Sequence, residues 1–200
     1  MAARAEPLSK RECILVEAAK MFARFGFKKT SIDDIAKEAG VGKGTVYLAA
    51  DSKEELFYQV LHREVRAWQA ACAKVIDPRA PADQLLLRLY TEAQGHMQDN
   101  ELLRDLFRGE MVRMLPKWAD RFESLRELGL SNVIEVLRIG VRQQLFREDL
   151  DVESVAVLLQ DLQLTNWILR GDRQDAATHA RRAAAGFDLV LRGLLRPARA

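Results

Sequence analysis

The stretch Thr30–Tyr47, TSIDDIAKEAGVGKGTVY, constrains the fold of this 200-residue chain more than any other. Ile32, Ile35, Ala36 and Ala39 recur at i, i+3, i+4 and i+7, the spacing of one buried face of a short helix. Thr30 or Ser31 can cap its start, each answered three residues on by Asp33 or Asp34. Gly40 ends it, since the residue just past a helix often needs the left-handed backbone that glycine adopts without strain. A second short helix begins after Gly42, with Val41 placed to pack on Val46 across the cap. Two short helices joined by a tight turn form a helix-turn-helix, whose second helix can lie in a DNA major groove.

The same glycines raise a phosphate-binding loop, which fails on spacing. That loop requires Gly, four residues, then Gly-Lys-Ser/Thr; here Lys43 is followed by Gly44 and position 37 is lysine. Once Val46 turns inward, Lys43, Thr45 and Tyr47 remain on the second helix as polar and basic groups. They favour a DNA-contacting helix over a helical hairpin that touches nothing.

From Ile14 to Leu56 the chain resembles the N-terminal domain of the TetR family of bacterial transcriptional repressors. The matching residues are Ile14-Leu15, Ala18, Phe22, Gly26-Phe27, Thr30, Ile35-Ala36, Ala39-Gly40-Val41, Lys43-Gly44-Thr45, Tyr47, Lys53-Glu54 and Leu56. They are spread over more than forty positions in one register. In one place the chain departs from the pattern: the family usually carries an aromatic three residues after the tyrosine, and here that position is Ala50. The resemblance implies a repressor that dimerises through its last two long helices, with a ligand pocket in its C-terminal part. It also implies that Tyr47 and Lys53 clamp the DNA backbone.

Charge sets a limit on how DNA is held. The net charge is +2, and residues 1–60 carry ten Lys/Arg against nine Asp/Glu. A near-neutral domain argues for a small shaped contact surface, not a basic coat. Cys13 and Cys72 have no paired spacing, so neither a disulfide framework nor a zinc site is expected. No apolar run approaches a membrane span, and Met1–Arg11 lacks the apolar core of a signal peptide, which together predict a cytoplasmic protein with no membrane partner.

Helical periodicity runs nearly end to end, punctuated by Pro78, Pro81, Pro116 and the turn-like segments at 149–151 and 171–172. An all-α fold of about nine helices is expected: a helix-turn-helix domain over 1–52 and a ligand-binding and dimerisation domain over 53–200. The first helix, 9–25, sets Ile14, Ala18, Phe22 and Phe25 on one side. Ser52 and Glu55 form a capping box for a fourth helix reaching about residue 76, long enough to pass from one domain into the next. The fifth spans 82–98, the sixth 102–114, and a seventh runs from Pro116 to about 146 with Gly129 as a kink. The eighth, 152–170, is apolar on several sides, and the last, 174–196, carries Ala176, Ala180 and Ala183 for close approach. That pair is expected to bury Val155, Leu162, Phe187, Leu191 and Leu194 across a homodimer interface.

Enzymatic motifs are missing. His62, His96 and His179 are far apart, with no His-Glu-x-x-His pair and no Gly-x-Ser-x-Gly elbow, so no catalytic residue, metal ligand or cofactor is assigned. The expected site is instead twofold. Lys43, Thr45 and Tyr47 face the groove, with Thr30 and Lys53 on phosphates. Trp68, Cys72, Met97, Phe107, Met111, Phe122 and Trp167 converge on a pocket for a small, mostly apolar inducer, with Gln163 or Asn166 to orient it. The sequence thus reads as a ligand-responsive repressor that binds palindromic operator DNA as a homodimer. A helical ligand-binding or scaffolding protein with weakened DNA binding is the alternative, which Ala50 makes conceivable.

Overall fold

A computed structural model of the chain describes residues 9–168 and 176–196, without the side chains of 163–168, 176–180, 182 and 183. Gln163, Asn166, Trp167, Ala176, Ala180, Ala183 and the turn at 171–172 therefore fall outside the described residues or side chains. The described residues form eleven α-helices and one 3-10 turn. The first four helices are α1 (Lys10–Lys29), α2 (Ile32–Glu38), α3 (Lys43–Ala49) and α4 (Lys53–Ala73). Then come α5 (Ala82–Asp99), α6 (Glu101–Phe107), α7 (Glu110–Met114), the 3-10 turn Pro116–Trp118, α8 (Ala119–Leu128) and α9 (Ser131–Arg142). The chain closes with α10 (Val152–Ile168) and α11 (Ala176–Leu194).

The two helices beyond the expected nine arise at glycines. Gly109 takes φ 74 and separates α6 from α7, where one helix was expected. At Gly129 the backbone stays right-handed through Gly129 and Leu130 while the hydrogen bonds tighten to Gly129 N on Arg126 O and Leu130 N on Glu127 O, so the expected kink divides α8 from α9. Gly26, at φ 76 and ψ 161, interrupts α1, so Phe27 turns inward while Phe25 stays 44% exposed. Phe27, not Phe25, is thus the core residue at the end of α1.

Phe22, Phe27 and Phe57 pack ring to ring at 4.9–6.0 Å between centroids. They weld the end of α1 to the first turns of α4. Further along, α4 buries Leu61, Val65, Trp68 and Cys72, and Trp68 meets Phe107 of α6 edge to face at 5.2 Å. One continuous apolar core results, with α4 in both halves.

The chain's end is tied back to its middle. Backbone hydrogen bonds join Arg147 N to Leu194 O and Arg196 N to Leu145 O, at 3.0 and 2.9 Å. Phe146 is fully buried there, against Gly140 of α9. Among the described residues no helix is long and apolar enough to cross a membrane.

Candidate nucleic-acid interface and cavity

The turn between α2 and α3 is built by local chemistry. Ser31 caps α2: its hydroxyl accepts from Asp34 N at 3.1 Å and donates to the Asp34 carboxylate at 2.5 Å. Gly40, at φ 65, closes the helix in a Schellman arrangement, with Gly40 N on Lys37 O and Val41 N on Ala36 O. Val46 is fully buried, which turns the other side of α3 outward.

On that outer side Lys43 and Tyr47 are exposed and Thr45 is half-buried. Lys43 is paired with Asp33 at 2.9 Å, and this hydrogen bond, helped by the Asp33 charge, raises its pKa. Leu48 stands 90% exposed beside Tyr47. Helical periodicity gave no reason to single it out, although the register that buries Val46 turns it outward.

Ala50, where the aromatic of the family pattern is missing, is 4% exposed. Its N–H caps α3 on Val46 O at 3.0 Å. The end of α3 is held further by Gln59 of α4, whose Nε2 donates to Ala49 O at 3.2 Å while its Oε1 accepts from Arg11 Nη2 at 2.7 Å. Neither Gln59 nor Arg11 was identified from the sequence, because neither belongs to a local pattern.

Thr30 differs from expectation. It is 2% exposed, and its hydroxyl donates to Gly26 O and Met21 O at 2.9 and 3.2 Å, which anchors the broken end of α1. That hydroxyl is not presented to a phosphate, and Ser31 alone makes the cap. Lys53 is half-buried: its Nζ donates to Phe27 O at 3.0 Å and Thr30 O at 3.1 Å and lies 4.4 Å from the Phe27 ring centre. An ammonium has three donors, so one remains for an anion.

Just past Lys53, a cluster grips the start of α4. The Arg121 guanidinium lies 3.7 Å from the Tyr58 ring centre and 4.3 Å from that of Trp118. It also forms a forked pair with the Glu55 carboxylate. The α8 end of the molecule is thereby fixed to the helix that continues from the helix-turn-helix.

A cavity of about 350 Å³ opens between α4, α5, α9, α10 and α11. Trp68 and Cys72 line it, with Leu86, Leu89, Tyr90, Asn132, Val133, Leu159, Gln160 and Val190. Other expected members lie elsewhere. Phe107 is packed behind Trp68, Met97 and Phe122 are core residues outside the wall, and Met111 lines a different cleft between α1 and the α6–α7 corner. Their stripes signalled burial, and burial against other side chains leaves no space.

The residues expected between subunits also divide. The Phe187 ring lies tilted against that of Tyr90, 5.7 Å between centres, and lines the cavity with Leu162. Leu194 is 4% exposed and locked beneath the Phe146 segment, so it is unavailable to a partner. Val155 and Leu191 pack partly on the core, whereas Leu158 and Leu162 are about half exposed. Burial pushes the Cys72 thiol up to about 12, with the Glu92 charge adding to it, so the wall presents a neutral thiol near neutral pH. Among the described residues no cluster of three or more His, Cys, Asp or Glu could hold a metal ion.

Comparisons with known proteins agree with this architecture. The family model described as bacterial regulatory proteins, tetR family, matches residues 14–60. The TetR family transcriptional regulator PfmR from Thermus thermophilus is 30% identical, with 92% of this chain and 99% of PfmR covered at a TM-score of 0.61. The HTH-type transcriptional repressor KstR2 of Mycolicibacterium smegmatis is 29% identical over 166 residues, 82% of this chain and 78% of that repressor. The structure of FadR from Bacillus subtilis in complex with stearoyl-CoA shares the fold at a TM-score of 0.69 and 18% identity, with 91% and 98% of the two chains covered. With its helix-turn-helix, its all-helical body and these relatives, the chain belongs to the TetR family of bacterial transcriptional regulators.

Proposed function

We propose that this regulator represses transcription by binding a palindromic operator as a homodimer, and that a small, mostly apolar molecule in the cavity releases it. The observation that carries this reading is α4. Its first residue, Lys53, is bonded to the end of α1 beside the helix-turn-helix, while Trp68 and Cys72 on the same helix line the cavity. A rigid helix that touches both sites can couple them. A ligand that prefers one tilt of α4 shifts the population of that tilt, and the two recognition helices of a dimer then no longer match successive major grooves.

Such coupling is typically worth about 1–3 kcal/mol and cannot exceed the ligand's differential affinity for the two states. In this reading Lys43, Thr45 and Tyr47 contact the groove and Lys53 a phosphate. Residues 1–52 are the DNA-binding unit, and the rest senses and dimerises in the cytoplasm. The Bacillus subtilis protein of this fold holds stearoyl-CoA, an amphiphile in which only the acyl chain is apolar. The alternative, a scaffold with weakened DNA binding, is disfavoured by the intact caps of α2 and α3 and by Gln59 holding the end of α3.

The test is fluorescence anisotropy with DNA from upstream of the protein's own gene, against scrambled DNA of equal length. Saturable binding to the upstream DNA at much lower concentration supports the reading. Equal affinity for both DNAs overturns it.

A further inference from the structure

We propose that Leu48 selects a thymine in the operator by packing on its 5-methyl group in the major groove, and that Gly44 lets α3 come close enough for this contact. This rests on the reading of α3 as the helix that enters the groove, and names what one of its residues recognises there. Leu48 is 90% exposed, more than any other large apolar side chain among the described residues. A single exposed leucine is ordinary on a protein surface, so its position on α3 decides the matter.

The exposed residues of α3 are Lys43, Gly44, Tyr47 and Leu48. They fall at i, i+1, i+4 and i+5, which is one outward face of a helix, opposite the buried Val46. No residue of α3 is acidic, so nothing on the helix itself repels phosphates. Lys43 and Tyr47 bring polar groups to that face, and Leu48 brings only hydrocarbon. Of the groups that base pairs display in the major groove, the thymine 5-methyl is the apolar one. It is the complement that a leucine can recognise.

Gly44 is a second and independent observation. It lies one turn before Leu48 on the same face, and a Cβ built there would meet nothing within 4 Å. Its φ is not positive either, unlike those of Gly26, Gly40 and Gly109. Glycine is a poor helix former, so neither the backbone nor the packing of the subunit calls for one here. A missing side chain does allow a partner to approach the backbone closely. With no Cβ at position 44, α3 settles deeper into the groove, and Leu48 one turn on meets base edges.

The test footprints the full chain on DNA from upstream of its own gene to find the thymines it covers. Duplexes with deoxyuridine at one covered thymine each then lose a single methyl and keep every hydrogen-bonding group. At the contacted position wild type should bind about fourfold more weakly by anisotropy, the transfer free energy of one methyl group. In Leu48→Ala that penalty should vanish, and so exposed a side chain can be removed without unfolding the chain. Gly44→Ala should melt no lower than wild type and still lose about tenfold in affinity, the cost of one mismatched base pair. No deoxyuridine penalty at any covered thymine, or one that survives in Leu48→Ala, overturns the methyl contact. Wild-type affinity in Gly44→Ala overturns the close approach. Both results leave the operator reading standing. Equal affinity of wild type for upstream and scrambled DNA overturns that reading, and this inference with it.

Discussion

Arg121 of α8 grips Glu55 in the first turn of α4 with both arms of its guanidinium, Nη1 to Oε2 at 2.6 Å and Nη2 to Oε1 at 3.3 Å. Ser52 caps α4 through Glu55 N, but the Glu55 carboxylate, which a capping box would turn back on Ser52, is given to Arg121. The pair therefore ties a helix of the C-terminal part to the helix that enters from the DNA-binding unit.

The hydrogen bond from Arg121 leads in holding Glu55 below its ordinary value of 4.5. A carboxylate whose folded pKa is lowered stabilises the protein fully above its unfolded value, and that contribution is lost as pH falls through the folded value. Arg121→Ala should cost about 1 kcal/mol near neutral pH, since the pair is partly solvent-screened and the ring contacts go with it. It should also flatten the fall in stability below the ordinary glutamate range. Denaturant midpoints of wild type and variant across the acid limb measure both effects, and parallel curves would remove Glu55 from the acid response.

Gly140 and Phe146 give a steric prediction. A Cβ at Gly140 would lie 2.0 Å from Phe146 Cδ2, and that ring is fully buried. Gly140→Ala should gain helix propensity and still destabilise by roughly 1–3 kcal/mol, because the ring has no space to retreat. Calorimetric melting would show it, and an unchanged or raised Tm would mean that the Phe146 segment yields freely.

Lys53 has one role that the structure shows, a tether to the end of α1, and one that is proposed, a phosphate contact, and one variant can separate them. Lys53→Ala removes two hydrogen bonds to the end of α1 and should cost about 1–2 kcal/mol. If its remaining N–H holds a phosphate, the slope of log affinity against log salt should also flatten by about one unit. Salt titrations by anisotropy read the slope, and thermal melts read the stability. Loss of stability with an unchanged slope would leave Lys53 a tether only.

These residues show where the sequence was legible. Gly40, Ser31 and Ser52 act through neighbours three to five positions away, so their roles were readable in order along the chain. Thr30 was ambiguous beside Ser31: both fit a cap, and only the break at Gly26 decides which hydroxyl turns inward. The stripes of Met97, Phe107 and Phe122 predicted burial and were right about that. A cavity is what packing leaves unfilled, and no spacing rule says where side chains from α4, α5, α9, α10 and α11 fail to meet. Trp68 and Cys72 were picked by the same stripes, and it is packing that leaves them facing that gap. Leu86, Tyr90 and Val190 face it too, and read only as ordinary helix positions.

The homodimer is tested most cleanly away from the cavity. Phe187→Arg would place a charge beside Tyr90 in the cavity wall and confuse ligand binding with assembly. Leu194→Arg would break the buried tie to Phe146. Leu158 is 53% exposed on α10 and lines no described cavity, and an apolar residue so placed suits a helix-to-helix contact between two subunits. Leu158→Arg is expected to keep the helical circular dichroism and melting behaviour of a folded chain while sedimenting as a monomer. It should lose operator affinity by at least about 100-fold, since one short helix reads too few base pairs to bind specifically alone. Analytical ultracentrifugation at micromolar concentration decides the matter. A wild type that sediments as a monomer removes the homodimer, and a dimeric Leu158→Arg moves the interface off this face of α10.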